Sequence, residues 1–125
     1  MKSFVVLSIL MTCTFNHLAA QQDGQKVRLA RLVIDSTQLD NYKSLLKEGI
    51  EASIRLEPGV LTLYAVSEKE NPNHITILEI YASEEAYQAH IQSPHFKIYK
   101  EGTLSMVKSL ELIETDPLIP DMKIK

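Results

Sequence analysis

The chain has 125 residues, 45% of them apolar, with 13 basic against 16 acidic residues and a formal charge of −3. That is room for one domain with an ordinary core, and the charge balance excludes the basic stripe that nucleic-acid binding requires. Cysteine occurs once and tryptophan not at all.

Residues 1–20 read as an export signal rather than as part of the fold. Lys2 supplies the positive start, Phe4 to Met11 an apolar run too short to span a bilayer, and Leu18-Ala19-Ala20 a small-residue cleavage site. Cleavage there removes Cys13 and leaves an exported domain, periplasmic or secreted, with no disulfide to staple it. A competing reading makes Cys13 a lipid-anchored first residue. Thr12 fits that box poorly, since a small residue is usual there.

Residues 21–25 are a polar tail, and the domain is expected over 26–114 with a C-terminal tail at 115–125. From Lys26 to Asp35 apolar residues fall on both faces of an alternating pattern, as in a strand buried on two sides. Thr37 and Asp40 have capping-box spacing. Leu39, Tyr42, Leu45, Leu46, Gly49, Ile50, Ser53 and Ile54 then recur at helical intervals. Glu57-Pro58-Gly59 ends that helix in a turn, where Gly59 supplies a positive φ if one is needed.

Val60 to Val66 is the second strand, Ser67 to His74 a polar loop, and Ile75 to Tyr81 the third strand. Ile75 and Ile77 point one way, Leu78 and Ile80 the other. One helix layer covers one face of a sheet, so the second face calls for a partner, and a homodimer packed face to face supplies it. Ser83 caps the next helix, with Glu84 and Glu85 in its first turn. Ser93-Pro94 breaks it and starts another, whose spacing continues through Phe96, Tyr99, Thr103, Met106 and Val107. Ser109 to Glu114 is the last strand, and the tail beyond it is placed to wrap the partner. The order β-α-β-β-α-β is α+β and ferredoxin-like: an antiparallel sheet with helices on one face.

The chemistry-bearing residues concentrate between Glu79 and Tyr99. His90 and His95 flank the Ser93-Pro94 break, and if both turn inward one serves as general base and the other as its hydrogen-bond partner. The plainer alternative is one histidine filling a core gap and one in solvent. Glu79, in an apolar strand, needs a partner, and Arg31 is the expected one. Tyr64, Tyr81, Phe96 and Tyr99 read singly as core and, beside two histidines, as the wall of a small-molecule pocket. Glu79, His90 and His95 have no recognised metal-ligand spacing, so no metal is expected. No phosphate loop or Ser- or Cys-centred nucleophile motif is present.

Glu57-Pro-Gly59, Leu78-Glu-Ile-Tyr81, Ser83-Glu-Glu-Ala86 and His90-Ile-Gln-Ser-Pro-His-Phe96 resemble the antibiotic biosynthesis monooxygenase domain family, over roughly Val27 to Glu114. The resemblance implies a dimeric α+β barrel with a pocket between sheet and helices. By motif match, His90, His95 and Phe96 line it, with Tyr81 and Tyr64 as additions from the strands. Relatives of this kind include cofactor-independent quinol monooxygenases, haem-degrading enzymes and an isomerase of a phosphorylated signalling sugar. The haem-degrading ones use a Trp that this chain lacks, and the isomerase activity is cytoplasmic. The implied activity is therefore oxidation of a quinol-like or phenolic compound by molecular oxygen, with no cofactor. A non-redox acid–base isomerase or lyase, and a ligand-binding protein without catalysis, stay open.

Overall fold

The computed structural model describes residues 24–121. The signal-like segment 1–20 with Cys13, residues 21–23 and residues 122–125 lie outside the described residues. Among those described, no helix is long and apolar enough to cross a membrane.

The elements are β1 (Lys26–Ile34), α1 (Leu39–Leu56), β2 (Val60–Ser67), β3 (His74–Tyr81), α2 (Glu84–Gln92), α3 (Pro94–Thr103) and β4 (Val107–Thr115). They form one antiparallel sheet in the order β2-β3-β1-β4. The ferredoxin-like order read from the sequence is the one observed.

Strand alternation sorts the side chains. Ala30, Leu32 and Ile34 of β1 and Ile75 and Ile77 of β3 are buried under the helices, where Tyr42 and Leu46 of α1 and Tyr99 of α3 close the core. Leu29, Val33, Leu78 and Ile80 alternate with them onto the opposite face, which carries no helix and leaves them half-buried. On the helix side the cover is also incomplete. Leu110 and Leu112 of β4 pair with Leu32 and Ala30, so they face the helices, yet they are 41% and 47% exposed. That gap beside β4 becomes a pocket wall.

Three local expectations change. The Thr37–Asp40 capping box does not form. Asp35 instead accepts from the Thr37 backbone N–H at 2.9 Å and caps a short 3-10 turn at Ser36–Gln38, from which α1 continues. The last helix stops at Thr103 rather than Val107. The Met106 N–H bonds to the Thr103 carbonyl and the Met106 carbonyl accepts from Asp35, so the chain turns there and Val107 enters the sheet beside Ile34. Gly59 has no positive φ. Its lack of a side chain serves a close approach instead: a Cβ there would lie 2.6 Å from the Ala86 Cβ.

Candidate active site

Three helix ends meet at one carboxylate. Glu57 closes α1 with an extended backbone (φ −117°, ψ 101°), its N–H still bonded to the Ser53 carbonyl at 3.0 Å. His90 ends α2 and His95 begins α3. The elbow between those two helices is fixed by Ser93, whose hydroxyl donates to the His90 carbonyl (2.6 Å) and accepts from the Phe96 N–H (3.3 Å). Ser93 is extended at ψ 147°, as a residue before proline prefers. One side chain thus caps both helices and sets the two histidines toward the same point.

That point is Glu57 Oε2, 2.8 Å from His90 Nδ1 and 2.6 Å from His95 Nε2. Burial pushes the Glu57 carboxyl up, but the hydrogen bonds from His90 and His95 outweigh it and hold the group below the usual carboxylate range. An ionised Glu57 accepts, so Nδ1 of a neutral His90 carries the proton and Nε2 keeps its lone pair. Among the described residues Nε2 has no hydrogen-bond partner. His90 is 5% exposed, and its ring packs against Tyr81 and Phe96 at centroid distances of 5.4 and 5.1 Å.

His90 lines a small cavity of about 60 Å³, mostly apolar, with Leu46, Ile50, Leu63, Ile77, Glu79, Phe96 and Tyr99. A second cavity of about 250 Å³, between α3 and strands β1 and β4, shares Ile77, Glu79, Phe96 and Tyr99 with the first and adds Arg28, Thr103, Leu104, Leu110 and Leu112. The two spaces are therefore neighbours, and Phe96 and Tyr99 stand at their boundary. Tyr99 is held by its hydroxyl, 2.7 Å from that of Tyr42.

The polar floor is a buried ion pair. Arg28 faces Glu79 across the β1–β3 ladder and its Nε–H donates to Glu79 Oε2 at 3.2 Å. Tyr81 donates to the other oxygen at 2.7 Å, and the guanidinium lies 4.4 Å over the Tyr87 ring. The expected partner, Arg31, pairs in register with Thr76 on the far face and is exposed. An even-numbered residue of β1 was needed, and Arg28 is it. Burial and the Glu79 charge push the Tyr81 phenol far above its ordinary value.

The structure thus brings together His90, His95, Phe96 and Tyr99. Tyr81 has no exposed surface and stands behind the pocket, supporting Glu79 and the His90 ring. Tyr64 is not brought in: it pairs with Leu78, faces away from the helices and is 67% exposed. Alternation past the β2 bulge between Val60 and Thr62 puts Leu63, not Tyr64, on the pocket side. Glu57 is the residue the sequence reading took only as a helix stop. Its signal was the carboxylate of the Glu-Pro-Gly turn, whose direction depends on backbone angles that spacing does not give.

A family model described as antibiotic biosynthesis monooxygenase matches residues 27–102. Among solved structures, a chain of Bacteroides thetaiotaomicron bearing that family name is 62% identical, over 83% of this chain and 99% of its own, with a TM-score of 0.81. A chain of Lactobacillus acidophilus named as a monooxygenase is 31% identical over 74% of this chain and 44% of its own, with a TM-score of 0.72. One of Nitrosomonas europaea bearing the family name shares the fold at 18% identity and a TM-score of 0.73, over 79% of this chain and 95% of its own. No curated protein matches. On the family match across most of the domain, and on the 62% identical structure, the chain belongs to the antibiotic biosynthesis monooxygenase family.

Proposed function

We propose that the protein oxidises a small quinol-like or phenolic compound with molecular oxygen, using no cofactor, as an exported homodimer. The observation that carries this reading is His90: a buried imidazole, oriented through Nδ1 by Glu57, on the wall of an apolar cavity. A base held in one tautomer beside an apolar space suits removal of a phenolic proton.

In this reading His90 Nε2 takes the hydroxyl proton, and the phenolate passes one electron to oxygen. Superoxide and the ring radical recombine at a ring carbon to give a peroxide. That carbon then loses its proton as the O–O bond breaks, leaving a quinone carbonyl and water. The Arg28 guanidinium, on the wall of the second cavity, favours the anionic stages. The bare sheet face, with Leu29, Leu78 and Ile80 on it, supports the homodimer.

The test is oxygen consumption with a panel of hydroquinones and phenols, for the wild-type protein, His90→Ala and His95→Ala. Uptake above autoxidation that is lost with His90 supports the reading. Equal uptake in all three proteins removes it. The acid–base pair also suits a non-redox isomerase or lyase, which would turn over its substrate with no oxygen consumed.

A further inference from the structure

The Glu57 cluster has a second chemical capacity. Glu57 Oε2, His90 Nδ1 and His95 Nε2 are three ligand-type atoms that all lie within 4.8 Å of one another. Their side chains are only 15%, 6% and 16% exposed. The three come from three different helix ends, and the Ser93 elbow holds the two imidazoles in place without any ion. Two imidazole nitrogens and one carboxylate oxygen are a borderline-soft set that suits zinc, cobalt, nickel or copper rather than magnesium or calcium.

We propose that this cluster is a binding site for a divalent transition-metal ion, held by Glu57, His90 and His95 with solvent completing the shell. An ion entering the cluster has to draw the two imidazole nitrogens, which lie within 4.8 Å of one another, to ligand spacing. Tetrahedral bonds of about 2.0–2.1 Å put donors about 3.3 Å apart, so the carboxylate must withdraw by roughly half an ångström or more from both nitrogens while the two imidazoles close on each other. The buried charge of Glu57 offsets part of the ion's own charge.

One consequence rests on the proposed base role of His90. A neutral imidazole that gives its Nδ1 lone pair to a metal carries its proton on Nε2, the nitrogen left for the cavity. The occupied protein then has no lone pair to offer a substrate hydroxyl. Metal binding and proton abstraction compete for one ring, and the ion acts as an inhibitor.

The experiment uses untagged, chelator-treated protein. Zinc is titrated calorimetrically and cobalt(II) is followed by its d–d absorption, in the wild type, His95→Ala, Glu57→Ala and, as a control, His74→Ala. His74 is a half-exposed histidine paired with Glu68 on the other side of the hairpin. The expected result is one ion per chain, an affinity lowered at least about tenfold by His95→Ala or Glu57→Ala, and no change in His74→Ala. Circular dichroism checks that each variant is folded, and zinc-dependent thermal stabilisation of the wild type gives a reading that needs no variant. No binding by the wild type, or binding that survives both site variants, overturns the site. Oxygen uptake is measured separately, with and without zinc. Binding without inhibition would sink the competition and leave the metal site standing, and absence of any uptake in metal-free protein would sink the oxidation while the calorimetry still decided the site.

Discussion

Glu57 Oε2 stands 2.8 Å from His90 Nδ1, across 33 residues of sequence, and this contact decides which nitrogen of the neutral ring carries the proton. Replacing Glu57 by Gln turns that decision around, because a side-chain amide can donate to Nδ1 and leave the proton on Nε2. The proposed oxygen uptake is expected to fall on the order of 10²–10⁴-fold, the range for losing a general base or its tautomer. Steady-state oxygen electrode measurements check it; a change under threefold would show that the contact does not prepare the base.

Arg28 and Glu79 form a pair whose two halves are unequal to their sum. Removing one partner leaves the other charge buried, and Arg28→Leu or Glu79→Leu is expected to cost about 3–5 kcal/mol. The double variant should cost clearly less than the two single losses added, which urea unfolding of all four proteins reads directly. Arg31→Ala, on the exposed far face, should stay within about 0.5 kcal/mol of wild type.

Three tyrosines should resist ionisation. Burial pushes the phenols of Tyr42, Tyr81 and Tyr99 above their ordinary value, with the Glu79 carboxylate adding to Tyr81. A raised phenol favours the neutral form in the fold, so its contribution is complete below the unfolded value of about 10 and is lost as pH climbs above it. Ultraviolet titration of the native protein at pH 11 should leave Tyr42 and Tyr81 protonated, with Tyr99 ionising later than a free phenol. Alkaline unfolding should release them together, and Tyr81→Phe should lessen the steepness with which stability falls above pH about 10.

Gly59 is expected to admit no larger residue without cost. A Cβ at 2.6 Å from the Ala86 Cβ must push the Glu57 turn away from α2, at about 1–3 kcal/mol. Ala86→Gly should cost less in the Gly59→Ala background than the ~1 kcal/mol a helical glycine costs in the wild type. Thermal unfolding of the single and double variants measures both effects, and an equal cost of Ala86→Gly in the two backgrounds would assign the Gly59→Ala loss to something other than this contact.

The helix-free sheet face gives a prediction about assembly. Leu29 and Leu78 are cross-strand neighbours at its centre, and an arginine at Leu78 places a charge where the proposed partner sheet would lie. Sedimentation should show a dimer for the wild type and a monomer for Leu78→Arg. A wild-type monomer would contradict the partner that this face implies.

Most of the architecture was legible because period and punctuation are local. Ile75, Ile77, Leu78 and Ile80 announce a two-faced strand, and Ser93-Pro94 announces the break between helices, with nothing needed from elsewhere in the chain. Where the outcome depended on register, spacing was insufficient. Arg28 and Arg31 look equally suitable as partners for Glu79 until the β1–β3 pairing says which face each occupies. The bulge between Val60 and Thr62 likewise exchanges the directions of Leu63 and Tyr64. Of the site, the histidines were legible from the motif, while Glu57 was visible only as a turn residue. Its role depends on an extended backbone at a helix end and on two partners 33 and 38 residues away.

Those long separations make the site a reporter of completed folding. Each residue of the trio ends or begins a helix, and while the Ser93 elbow sets the two histidines locally, nothing local brings Glu57 to them. The carboxylate meets its partners only where α2 lies docked beside the turn at Gly59. Closing such loops comes late because their entropy must be lost before any contact rewards it. A chain caught part-way, or paired in the wrong register, would hold its histidines in solvent with no fixed tautomer. The proposed base is thereby prepared only once those contacts are made.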